Sequence, residues 1–226
     1  MTNLQSKRKI AAIVPALNEA NNIGRVLKVL LKSKNLDEII LVDDGSHDET
    51  SEIGKKLGAK VITLAKNEGK GNALRQGINS TKAEIVVFFD ADLVGLSEKH
   101  IYLLLQPILE NKAEMSVGIR DRWQARSLAK FRPFLAMAGE RAISRSLFKK
   151  IPEKFSQGYA IETALNYYCF VNNLPVSYIN LKYLNIIIKE KKWGIVKGFA
   201  NRIKMSWQIL KTILIILFFR NTFLKK

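Results

Sequence analysis

Glu84-Ile85-Val86-Val87-Phe88-Phe89-Asp90-Ala91-Asp92 decides how the rest of the chain is read. Glu84–Phe89 is almost wholly apolar and rich in β-branched and aromatic side chains, as in a strand buried on both faces of a parallel sheet. Two carboxylates follow at once, so their charges lie at the strand's exposed carboxyl end. Upstream, Lys9–Val14 is a similar apolar run stopped by Pro15, and Glu38–Val42 is another, ending in Asp43-Asp44-Gly45-Ser46. Lys60–Leu64 is a further strand. Between them lie helical patterns: Ile23 to about Leu31, capped by Asn22, with Ile23, Val26, Leu27, Leu30 and Leu31 on one face; a helix opened by a capping box at Ser46-His47-Asp48-Glu49; and Gly71–Ser80. Downstream, Ser97 starts a helix through Leu109, and Glu114–Ile119 makes a strand. Strands alternating with helices predict βαβ units and an α/β fold, an open, mostly parallel sheet flanked by helices.

The remainder differs in composition. Residues 1–119 hold 16 Lys/Arg against 15 Asp/Glu, whereas residues 120–226 hold 21 against 5, so nearly all of the net charge of +17 sits in the second half. That asymmetry points to an anionic partner there: a phosphorylated acceptor, an anionic membrane surface or nucleic acid. Helical stretches are expected near Ala136–Lys149 and Glu162–Val171, a strand at Pro175–Tyr183, and a long helix from about Trp193. Its apolar run, Ile209–Phe219, is about half of the roughly 20 residues needed to cross a bilayer. It fits an amphipathic segment lying on a membrane, or a packing face in a homo-oligomer. The organisation expected is a domain over 1–192, divided at 119/120, and an appended helix over 193–226. The single cysteine, Cys169, excludes an intrachain disulfide and a Cys-rich zinc site and fits a reducing, cytoplasmic setting.

In open α/β sheets, ligands bind beyond the carboxyl ends of the strands. Three such ends carry polar residues here: Pro15-Ala16-Leu17-Asn18-Glu19, Asp43-Asp44-Gly45-Ser46 and Asp90-Ala91-Asp92. The Asp-x-Asp suits a hard cation, Mg²⁺ or Mn²⁺, that would bridge a diphosphate. Asn67-Glu68-Gly69-Lys70-Gly71-Asn72 opens a helix, where two glycines permit close backbone approach and Lys70 and the helix N-terminus favour an anion. The P-loop spacing is absent. Arg120, Arg122, Arg126 and Arg132 form a candidate cradle for an acceptor phosphate. A nucleic-acid binder would leave the acids Asp43, Asp44, Asp90 and Asp92 without a use, so nucleic acid is not the expected partner.

Taken together, IVPALNE (Ile13–Glu19), LVDDGSHDET (Leu41–Thr50), NEGKGNALRQG (Asn67–Gly77) and VVFFDADL (Val86–Leu93) resemble the family 2 glycosyltransferases with the GT-A fold. The resemblance implies a nucleotide-sugar donor, UDP-linked, with its base near Pro15–Glu19 and Asp44. It implies diphosphate and metal at Asp90-Ala91-Asp92, with Asp92 the direct ligand and Asp90 beside it. In the second half, Gly139-Glu140-Arg141-Ala142-Ile143-Ser144-Arg145 and Gly158-Tyr159-Ala160-Ile161-Glu162 are similar to the acceptor side of glucosyl-3-phosphoglycerate synthases. That likeness places Glu140, Arg141, Tyr159 and Glu162 around acceptor and sugar, with Asp92 and Glu162 as the catalytic carboxylates.

One departure stands out. Those synthases carry a metal-binding His after the last strand, where this chain reads Tyr183-Leu184-Asn185-Ile186-Ile187-Ile188. Its histidines, His47 and His100, fall at a helix cap and on a helix. Either water or another residue completes the metal site, or the chemistry differs, and with it the phosphoglycerate acceptor. The rival within the class is a polyprenyl-phosphate sugar transferase, which shares the first-half motifs. It would place the enzyme on the inner membrane face through its basic half and C-terminal helix.

Overall fold

The computed structural model describes residues 8–120, 139–155 and 160–186. Its strands are β1 (Ile10–Ala16), β2 (Glu38–Asp43), β3 (Lys60–Thr63), β4 (Ile85–Phe88), β5 (Leu93–Val94), β6 (Met115–Arg120), β7 (Arg141–Ser144), β8 (Val176–Leu181) and β9 (Asn185–Ile186). The helices are α1 (Ala20–Leu30), α2 (Thr50–Leu57), α3 (Lys70–Asn79), α4 (Glu98–Leu109), α5 (Arg145–Lys149) and α6 (Ala160–Val171). Among the described residues one sheet runs β3-β2-β1-β4-β7-β6-β8, and β5 with β9 forms a separate pair. Every neighbouring pair in the large sheet is parallel except those of β7, which is antiparallel to both β4 and β6. The expected mostly parallel α/β architecture is therefore present.

Period-two alternation divides the core between the faces of the sheet. Ala11 and Ile13 face α3, α5 and α6 with Leu74, Phe148 and Leu165, while Ile10, Ala12 and Val14 face α1 and α4 with Leu27 and Leu104. Both clusters are closed to solvent, which is why β1 and β4 read as continuous apolar runs.

Four local expectations change. β1 does not stop at Pro15 but continues to Ala16, with Pro15 paired to Val42. The Ile13 carbonyl accepts from Phe89 N, so Pro15, two residues on, points its missing donor to the same side, where β4 has already ended at Phe88. Helix α1 starts earlier, with Glu19 at its N-cap, and Asn22 in the first turn donates its amide to Glu19 Oε2 at 2.8 Å. The capping box at Ser46–Glu49 does not form: Ser46 Oγ accepts from Asn18 N instead, and α2 begins at Thr50, held by Asp48. Finally, Arg141–Ser144, expected within a helix from Ala136 to Lys149, is strand β7, leaving only α5 helical in the described part of that stretch. The C-terminal helix, the boundary at residue 192, Arg122, Arg126, Arg132 and Tyr159 lie outside the described residues.

Candidate active site

Because β1, β2 and β4 are parallel, their carboxyl ends share one edge. The parallel course of β6 and the reversed course of β7 bring Arg120 and the Gly139-Glu140 approach to the same edge. The first two loops are stitched together. Asn18, at φ 53°, donates its N–H to Ser46 Oγ (2.9 Å) and accepts from His47 N (2.9 Å), and Glu19 N donates to Thr50 Oγ1 (2.8 Å). Asp43 is buried and accepts from Ser46 N at 2.9 Å. Pro15, Leu17 and Asn18 remain half-buried along this edge, while Ala16 and Glu19 are buried.

Asp44 plays a part that its position in the sequence did not disclose. Its two oxygens accept from Glu68 N (2.8 Å) and Gly69 N (2.9 Å), so the end of β2 grips the loop that opens α3. Burial raises the pKa of this carboxyl despite those two donors. Gly45 allows the grip: a Cβ there would lie 2.6 Å from the Lys66 carbonyl carbon. Gly69 is the N-cap of α3 at φ 92°, a conformation that side chains disfavour.

Helix α3 thus starts at Lys70, whose ammonium lies 2.7 Å from Asp90 Oδ1 and 2.7 Å from Glu162 Oε1. Burial would push this ammonium's pKa down, but the two carboxylates outweigh it and hold the pKa above the ordinary value. Arg120 Nη1 lies 4.0 Å from Asp90 Oδ2 and 3.4 Å from Glu140 Oε1, and Arg141 Nη2 lies 3.9 Å from Glu162 Oε2. Gly139 makes room for Asp90, since a Cβ there would fall 2.5 Å from both carboxylate oxygens. The structure therefore brings Asp90, Lys70, Glu162, Arg120 and Glu140 together, with Asp92 two residues past Asp90 and half-buried at the same edge.

Two residues expected against the acceptor lie deeper than that. Glu140 and Arg141 both have no exposed surface. Arg141 donates to Asn166 Oδ1 (3.2 Å) and to the Glu162 carbonyl (3.3 Å), which fixes the first turn of α6. Asn166 was not singled out from the sequence; its spacing of four from Glu162 on one helix was the available signal. Neither histidine joins the acids. His47 sits in the loop before α2, and His100 is buried at the start of α4, between Ser97 and the Lys182 carbonyl (2.9 Å). Among the described residues no three His, Cys, Asp or Glu side chains are grouped to hold a metal ion.

The model of the family described as glycosyl transferase family 2 matches residues 11–166. The chain belongs to that family. Over 192 residues this family 2 member is 29% identical to the glucosyl-3-phosphoglycerate synthase of Mycolicibacterium smegmatis, covering 70% of this chain and 63% of the relative. Over 119 residues it is 40% identical to an uncharacterized protein of Methanocaldococcus jannaschii, covering 51% of this chain and 48% of that one. The chain thus spans about half to just under two-thirds of the length of these curated relatives. A crystal structure of the Mycobacterium tuberculosis glucosyl-3-phosphoglycerate synthase, in complex with Mn²⁺, UDP-glucose and phosphoglyceric acid, matches with a TM-score of 0.77 at 27% identity. It covers 93% of this chain and 80% of that one, and the two share the GT-A fold.

Proposed function

We propose that this chain transfers a glucosyl unit from UDP-glucose to a small phosphorylated acceptor of the phosphoglycerate type, with Mg²⁺ or Mn²⁺. The observation carrying this reading is the convergence of the β1, β2 and β4 loops with Lys70 at one sheet edge. It occurs in a chain whose relatives are named for that reaction.

The residues present fit the ion. Asp90 and Asp92 offer oxygen donors, and among the described residues no Cys or His is grouped with them, which suits a hard cation. Asp90 and Asp92 would hold it, one or two carboxylates being the usual protein share of a Mg²⁺ site. When bound, the ion would offset the charge of the departing nucleoside diphosphate.

The remaining work falls to this chain's own groups. The Pro15–Glu19 loop and the end of β2 line the edge where base and ribose would lie. Asp44, by holding the Glu68–Gly69 backbone, sets where α3 begins and so where Lys70 presents charge to the diphosphate. Glu162 accepts a hydrogen bond from the attacking acceptor hydroxyl. The new bond forms from that oxygen to the anomeric carbon as the bond from that carbon to the diphosphate oxygen breaks; the electron pair leaves with UDP, and the hydroxyl proton passes to Glu162 and from there to solvent. Arg120 supplies charge for the acceptor's phosphate. Arg141 and Glu140 act as positioning residues, Arg141 through Glu162 and Glu140 through Arg120. The basic excess of the second half serves the same acceptor. The bilayer alternative rests on Ile209–Phe219, outside the described residues, and no described helix is long and apolar enough to cross a membrane.

Incubation with UDP-glucose, 3-phosphoglycerate and Mn²⁺ should yield a glucosylated acid and UDP. Asp92→Ala should lower the rate by about 10²-fold or more with an unchanged circular dichroism spectrum, the scale of losing a charge clamp on the leaving group. Full turnover in excess chelator would overturn the reading.

A further inference from the structure

Lys70 joins two carboxylates that come from opposite halves of the site, Asp90 after β4 and Glu162 on α6, at 2.7 Å each. Arg120 approaches the other oxygen of Asp90, and Arg141 the other oxygen of Glu162. Charges therefore alternate along the sheet edge in the order Arg120, Asp90, Lys70, Glu162, Arg141. The ammonium is largely enclosed, with 18% of its side chain exposed, so this is a built contact and not a surface ion pair. For Asp90 Oδ1, an ammonium and a divalent ion are alternatives: both are cations, and each in contact with that oxygen would repel the other.

We infer that Lys70 is the chain's own stand-in for the divalent cation at Asp90, keeping free metal ions off these carboxylates until a diphosphate brings one. The diphosphate is what makes the exchange favourable. Its oxygens offer the displaced ammonium a new anionic partner close to the N-terminus of α3, so Lys70 moves from one anion to another without being left alone. Metal and nucleotide then bind as a unit, and the same movement releases Glu162 toward the acceptor. This inference rests on the metal–nucleotide reading given above and adds an order of events to it.

The test is a Mn²⁺ titration followed by the paramagnetic resonance signal of free Mn²⁺, with and without UDP, on the full chain. Wild type and Lys70→Arg should bind Mn²⁺ alone weakly and tighten with UDP. Lys70→Gln and Lys70→Met remove the charge, and should bind Mn²⁺ without nucleotide about tenfold or more tightly than wild type. The Gln amide can still hydrogen-bond both carboxylates, which favours a folded variant; melting curves establish that. Equal Mn²⁺ affinity in wild type and both neutral variants overturns the inference while leaving the donor reading intact. Failure of wild type to bind Mn²⁺ with UDP overturns both. Should neither neutral variant fold, ¹⁵N resonances of the lysine side chains in wild type decide, with Lys70 assigned by its loss in the Arg variant. The Lys70 Nζ signal should stay in place with Mg²⁺ alone and shift with Mg²⁺ and UDP. A shift with Mg²⁺ alone overturns the inference.

Discussion

Glu140 sits at the end of this row with no exposed surface, and among the described residues neither of its oxygens has a hydrogen-bond partner; the Arg120 guanidinium lies 3.4 Å away. Burial and the nearby Asp90 raise its pKa from an ordinary 4.5 to about 7, against the opposing pull of Arg120 and Lys70. In the unfolded chain the group loses its proton near the ordinary value. Between there and about 7 the folded protein therefore binds more protons than the unfolded one, and stability falls as pH rises through that window. Glu140→Gln removes the titration. Measured by urea unfolding in chelator, wild type should lose about 1–3 kcal/mol relative to this variant between pH 4.5 and pH 8. Parallel pH profiles for the two proteins would show that the slope arises elsewhere. Nothing in the sequence warned of this burial. Asp90 and Asp92 were legible because a wholly apolar run delivers them to a strand end. Glu140 and Arg141 were placed around acceptor and sugar by resemblance alone, since nothing in Gly139–Arg145 announces a central strand.

At the scale of elements, the packing of α3 on the sheet turns on Gly77. A Cβ at that position would lie 2.5 Å from Ile13 Cγ2 and 3.1 Å from Val42 Cγ2, both on adjacent central strands and both fully buried. Helix propensity favours alanine over glycine by about 1 kcal/mol, while forcing a methyl group into a filled core costs about 1–3 kcal/mol. The contact wins, because neither branched side chain has room to turn. Gly77→Ala should lower stability by about 1 kcal/mol and the melting temperature by a few degrees; a higher melting temperature would contradict this packing. Elements with a long one-sided pattern, such as α1 and α4, were legible nearly to their ends. Those that failed were decided by distant partners. Ser46 Oγ is taken by the Asn18 N–H, which joins the loop after β1 to the loop after β2. The four residues of β7 are too few for periodicity to separate strand from helix, and the antiparallel insertion breaks the βαβ rhythm used to place the others. The β5–β9 pair, joined by two residues from each strand, left no pattern to read.

For the whole molecule, the decisive feature is that charge and chemistry are divided between the halves. Residues 1–119, which carry the donor motifs, are nearly neutral with 16 basic and 15 acidic side chains, whereas residues 120–226 have 21 and 5. A long-range field from the second half draws an anion toward it, and salt weakens that field as the screening length shrinks from about 10 Å at 0.1 M to about 3 Å at 1 M. In the proposed function the donor is held at short range by an ion and by Lys70, where screening acts less. Raising KCl from about 0.05 to 0.5 M should therefore raise the KM for the phosphorylated acceptor by about three- to tenfold, and change the affinity for UDP with Mn²⁺ by less than about twofold. Steady-state kinetics and calorimetry at matched salt make the comparison. Equal shifts in both quantities would detach the basic half from the acceptor. The competing use of the same charge, attachment to an anionic bilayer, predicts a different pattern: turnover that depends on anionic vesicles and protein that sediments with them at low salt. Glucosylation of soluble 3-phosphoglycerate at undiminished rate without vesicles assigns the charge to the small acceptor. Vesicle-dependent turnover of a lipid-borne phosphate assigns it to the membrane.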